Sequence, residues 1–201
     1  MQVEINVQLL TQGICMLKGS IKKFMLITIY LLNTQNSVIA EEMIIGEETI
    51  SNINFVFEAA PKDSVFTDGP ITHLAEKNTD IHIEALISWS QNSNIPGQIP
   101  GSHLPYLDVQ AKVINEKTDE VLVVNLVPHI NLSDGYHYAR NIQLPGNTDD
   151  VFTVHFSIEP DERLLSYHYD WKEAYGMPII NTTEFKYKNL NFLEISKKSR
   201  R

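Results

Sequence analysis

Ile81-His82-Ile83-Glu84-Ala85-Leu86-Ile87-Ser88-Trp89 places Ile81, Ile83, Ala85, Ile87 and Trp89 at every second position. Successive side chains on a β-strand point to opposite faces, so this spacing predicts a strand with those five residues in a core. Outward from it the same period recurs. Ile53 to Phe57 is a second strand, ended by Pro61-Lys62-Asp63. Leu107, Val109, Ala111 and Val113 alternate in a third, which turns at Asn115 to Asp119. Val121 to Val127 is nearly continuously apolar, as expected of a strand covered on both sides. Phe152, Val154, Phe156 and Ile158 alternate again, and Thr183 to Tyr187 makes a last, aromatic-containing strand. No segment carries a sustained 3.6-residue period with caps. Seven or so short strands separated by turn residues predict an all-β domain, most naturally a β-sandwich. Gln91 to Pro105 reads as a loop and Asp161 to Pro178 as a longer excursion.

The 201 residues suit a single domain plus a processed leader. Lys18, Lys22 and Lys23 precede the apolar run Phe24 to Leu32, and a polar stretch then ends in Val38-Ile39-Ala40. This is the layout of a signal peptide cleaved near Ala40, and the apolar run is well short of the roughly 20 residues a spanning helix needs. Residues 1–40 are therefore expected to be a leader, with Met16 an alternative start, residues 41–190 the exported domain, and 191–201 a solvated basic tail ending Lys197-Lys198-Ser199-Arg200-Arg201. Lipidation at Cys15 is not expected, because Gln12-Gly13-Ile14 is a poor lipobox and the apolar run lies after it.

Net charge is −9, and without the leader 13 basic residues face 24 acidic ones, a formal −11. A nucleic-acid binder would carry clustered Lys and Arg instead, so no nucleic-acid partner is expected. Cys15 is the one cysteine, so the exported part has no thiol. That excludes disulfides, thiolate zinc, iron–sulfur and blue-copper centres. There is no G-x-S-x-G, P-loop or H-E-x-x-H motif.

Three segments could carry chemistry. On the predicted strand Asp80, His82 and Glu84 share the face opposite the core, where an imidazole and a carboxylate two residues apart can reach one ion; a solvated strand face fits the same pattern. His129 and His137 flank the turn dipeptide Asp134-Gly135, so both could lie at one end of the domain or be unrelated loop residues. His168 stands in the excursion after Glu159-Pro160. His155 faces outward with Thr153 and Ser157, while His73 and His103 are loop residues that could support a site or do nothing. Four histidines and a carboxylate without sulfur suit Cu(II), Zn(II), Ni(II) or Fe(II).

Thr79-Asp80-Ile81-His82-Ile83-Glu84-Ala85, Leu104-Pro105-Tyr106-Leu107, Ser133-Asp134-Gly135-Tyr136-His137-Tyr138, Asn141-Ile142, Glu159-Pro160 and Glu184-Phe185-Lys186-Tyr187 together resemble the bacterial periplasmic iron-transport protein family over residues 43 to 188. These are copper- and iron-binding partners of a high-affinity iron permease. The resemblance implies an immunoglobulin-like β-sandwich that forms a homodimer, with a metal site at or near the subunit interface. It places the family's ligands on His82, Glu84 and His137, with His168 matched loosely. The family's M-P-M is here Val127-Pro128-His129, with one extra residue before Ser133. His129 in place of a thioether would weaken a preference for Cu(I) and favour Cu(II), Zn(II) or Fe(II). The expectation is a non-catalytic periplasmic protein that binds iron, copper or both, takes Zn(II) in vitro, and supplies an inner-membrane iron permease. A metal-dependent redox enzyme acting on iron and an immunoglobulin-like adhesion module are the alternatives.

Overall fold

The computed structural model describes residues 42–200. The leader expected up to Ala40, with Cys15 and Met16, lies outside the described residues. Eight strands are present: β1 (Met43–Ile50), β2 (Ile53–Ala60), β3 (Ile81–Trp89), β4 (Leu107–Asn115), β5 (Val121–Asn131), β6 (Gly135–Ile142), β7 (Phe152–Pro160) and β8 (Thr183–Leu190). They form one antiparallel, nearly closed sheet in the order β1-β2-β3-β6-β5-β4-β7-β8. The six strands expected from the sequence are all present. β1 and β6 were not expected: β1 is mostly exposed, and β6 contains Asn141, Arg140 and His137 where an apolar run would have marked a strand.

β5 holds the sheet together by working in two halves. Val121–Leu126 pair with β4, whereas Val127–Asn131 pair with β6. Its first half was expected to be covered on both sides, yet Val121 is 48% and Val123 52% exposed. Only one face of that half meets the core, through Leu126, Leu122 and Val124. Pro128 falls just after the change of partner, consistent with the rule that proline within a sheet is confined to positions where a ladder donor is dispensable.

The core lies where the two ends of the sheet fold over each other. Phe57 of β2 stacks on Phe156 of β7 at 4.1 Å between ring centroids, and Phe185 of β8 sits 4.9 Å from Phe57 and 5.0 Å from Phe55. Ile81, Ile83 and Ala85 point into this layer fully buried, as their alternation predicts. At the seam between β1 and β8, Tyr187 lies directly over Gly46, where any Cβ would collide with the ring. The ladder between β1 and β2 slips at this point, between Ile44 and Gly46.

Among the described residues two short α-helices flank β8: α1 (Tyr169–Tyr175) in the long excursion, and α2 (Leu193–Ser196) after the strand. Trp171 of α1 packs against Trp89 at the far end of β3. The segment after β8 is not the solvated tail expected from its charge. Phe192 and Ile195 are buried, Ser199 bridges Lys62 in parallel, and the Arg200 N–H donates to the Lys62 carbonyl at 3.2 Å. Two apolar anchors outweigh the repulsion of a few basic side chains. Because Phe57 is wholly buried and touches rings from both ends of the sheet, Phe57→Ala is expected to cost about 3–5 kcal/mol of unfolding free energy, measurable by urea denaturation.

Candidate metal centre

β3 presents its second face to a cavity rather than to solvent. His82 is 5% exposed and Glu84 0%, so the alternating strand is buried on both sides. Antiparallel register explains what surrounds them. Glu58 of β2 lies opposite Glu84, Asn141 of β6 lies opposite His82, and His129 of β5 lies opposite His137 of β6. The imidazoles of His82, His129 and His137 thereby offer nitrogen atoms that all lie within 4.8 Å of one another. Glu84 joins them: its Oε1 is 3.6 Å from His82 Nε2 and its Oε2 is 4.0 Å from His137 Nε2. A cleft of about 370 Å³ opens over the rings, with Phe66, Ile71 and His73 on its walls.

Each ring is held by a polar partner. His82 Nδ1 meets Asn141 Oδ1 at 2.7 Å, and the Asn141 amide nitrogen donates to the carbonyls of Asp63 (2.8 Å) and Leu74 (2.9 Å). With its amide nitrogen committed as a donor, Asn141 can only accept from His82, so Nδ1 carries the proton and Nε2 turns a lone pair to the cavity. His137 Nδ1 meets the Gly135 carbonyl at 3.1 Å and must also donate, which frees its Nε2. His129 Nδ1 lies 3.3 Å from His82 Nε2, and its own Nε2 is buried without a partner. Glu84 Oε2 is likewise buried and unpartnered. Buried polar atoms are rarely left so, and three imidazole nitrogens beside a carboxylate are a donor set that suits a borderline divalent cation. The residues fit a metal.

His168 is not among them. It is exposed, immediately precedes α1, and α1 packs by Trp171 against Trp89, eight positions along β3 from Ile81. His73, a loop residue that the sequence leaves open as a support for a site or as nothing, has its ring 4.9 Å from that of His129. Glu42 and Glu58, with carboxylate oxygens within 4.8 Å of Glu84, carry no motif; Glu58 is visible only through register.

Electrostatics follow from burial. Burial lowers His82 to about 4, against a rise from the Asn141 hydrogen bond, and lowers His129 to about 3 with help from the neighbouring imidazoles. His137 is also lowered, again by burial. Glu84 is raised to about 8 by burial and then by Glu42, with Arg200 opposing. At neutral pH the rings are therefore uncharged, the form in which imidazole ligates, while Glu84 keeps its proton. An unfolded glutamate releases that proton near 4.5, so the stabilisation is complete below pH 4.5 and fades as pH rises towards 8. The imidazoles act in the opposite window, destabilising as pH falls from 6.5 towards 4. Metal-free protein is thus expected to melt at a lower temperature at pH 8 than at pH 6.5, and Glu84→Gln to shrink that difference, as read by circular dichroism.

The profile of the Fe2+ transport protein family matches residues 39–193. No curated protein matches the chain. Among solved structures, a copper-bound variant of FetP from uropathogenic Escherichia coli strain F11 is similar at 20% identity and a TM-score of 0.60, over 74% of this chain and 95% of that one. FetP of the same strain, expressed recombinantly in the periplasm of E. coli BL21(DE3), is 22% identical over the same shares with a TM-score of 0.60. A copper-bound variant of the P19 protein of Campylobacter jejuni is 24% identical, with a TM-score of 0.61 over 74% of this chain and 96% of that one. These likenesses establish a shared fold. With the family profile spanning the whole of the described sheet, the chain belongs to the Fe2+ transport protein family.

Proposed function

We propose that this chain is an exported, non-catalytic metal-binding protein that captures iron, copper or both outside the inner membrane and passes iron to a membrane permease. The observation that carries this reading is the convergence of His82, His129 and His137 on buried Glu84, with two of the rings locked so that Nε2 faces the cavity. Family membership supports the link to iron uptake, and the copper-bound states of the FetP and P19 variants support copper as a ligand. The formal charge of −11 beyond the leader would raise the local concentration of cations at the cleft.

In this reading the three imidazoles hold the ion, and Glu84 supplies charge neutralisation once its proton leaves. The absence of a thioether at position 129 shifts preference towards Cu(II), Zn(II) and Fe(II). The sheet is the immunoglobulin-like arrangement of the family, and the protein works as a homodimer. Phe66 and Ile130, exposed at 86% and 67%, line the cleft and supply apolar surface that such a dimer would bury. His168, exposed and outside the cluster of rings, would join the ion from a second copy.

Calorimetric titration of metal-free protein with Cu(II) or Zn(II) is expected to show binding at one ion per chain and a rise in melting temperature. His82→Ala combined with His137→Ala is expected to abolish both. Unchanged stoichiometry in that double variant would remove the site.

A further inference from the structure

The imidazoles occupy one half of the centre, and the other half is acidic. Glu42, Glu58 and Glu84 crowd together there, and Asp134 adjoins them. Into this half runs the segment after β8. Lys62 Nζ donates to the Ser196 carbonyl at 3.1 Å, Ser199 bridges Lys62, and Ser199 Oγ donates to Glu76 Oε1 at 2.5 Å. The backbone so fixed delivers the Arg200 side chain, 14% exposed, between the carboxylates. Its Nη2 lies 2.5 Å from Glu42 Oε1, 3.4 Å from Glu84 Oε1 and 3.7 Å from Asp134 Oδ2. Arg200 Nε and Glu84 Oε2 are both buried without a hydrogen-bond partner. One fixed positive charge thus sits where three oxygen ligands converge, and residues 194–200 lie beyond the span that the family profile matches.

We propose that Arg200 is a built-in counter-cation, which reserves the Glu42–Glu84–Asp134 half of the centre against a second metal ion and so confines metal binding to the imidazole half. The inference builds on the imidazole reading above. A hard divalent cation prefers oxygen ligands and would otherwise find several here. With the guanidinium in place it must either share the carboxylates with a like charge a few ångströms away or expel the strap from its seat against Lys62.

Mn(II), which favours oxygen over imidazole, distinguishes the two halves. Metal-free full-length protein titrated with Mn(II) and followed by the paramagnetic resonance of the free ion is expected to take up none at micromolar concentration. Arg200→Gln is expected to bind one Mn(II) per chain, with affinity raised on the order of tenfold or more. Glu84→Gln in the Arg200→Gln background should abolish that gain. Equal uptake by wild type and Arg200→Gln, or a gain that survives Glu84→Gln, overturns the proposal. The wild type alone supplies a reading that needs no variant. At millimolar Mn(II), either exclusion or uptake with faster amide exchange at Ser199 and Arg200 agrees with a reserved site, and uptake with unchanged exchange overturns it. Cu(II) or Zn(II) stoichiometry at the imidazoles is read separately, so failure of that site and failure of the Arg200 role give different results.

Discussion

The buried hydrogen bond between His82 and Asn141 fixes more of this molecule than any other single contact. Asn141 ties β6 to β3 across the ladder, and its amide nitrogen reaches the carbonyls of Asp63 and Leu74 in the loop that walls the cleft. β6 is thereby joined at one side chain to β3 and to the loop that leads into it. The same amide decides which nitrogen of His82 is protonated, so local folding and ligand chemistry are set together. Supporting partners of this kind orient a ligating histidine and raise its basicity.

Around that contact the protein buries groups that ordinary packing would exclude. Uncharged imidazoles and a protonated Glu84 are the inexpensive forms of these residues inside a protein, because desolvation penalises only their charged states. Their net effect is a pocket held electrically quiet until a cation arrives, at the expense of some stability in the empty protein. Arg200 is the exception, a permanent charge, and it is accommodated because Glu42 and Asp134 remain partly exposed beside it.

Much of the sheet was legible in the sequence because most of its strands carry a period of two and β5 opens on a continuous apolar run. β1 and β6 were not, since alternation reports burial on one face, and β6 fills both faces with a mixture of His, Asn, Ala and Tyr whose burial depends on partners distant in sequence. His82, Glu84 and His137 could be named from their motifs, and His129 from its place before the turn. Their convergence depends on β5 crossing to β6 after Leu126, which no local pattern announces. Glu58 became part of the centre only through its register with Glu84. Arg200 was hidden by its company: in a basic cluster it reads as a solubilising end, and only the anchoring of Phe192 and Ile195 makes it a buried participant.

The close approach of Tyr187 to Gly46 has a bearing on how these chains can meet one another. Outer strands of an open sheet are templates for further pairing, and proteins must blunt them. Here the ring roofs the seam where β1 and β8 converge, and the slip in the neighbouring ladder spoils the regular spacing a foreign strand would need. Growth of the sheet from molecule to molecule along that line is thereby discouraged. Any approach of one copy to another is thereby left to side-chain surfaces and not to this backbone edge.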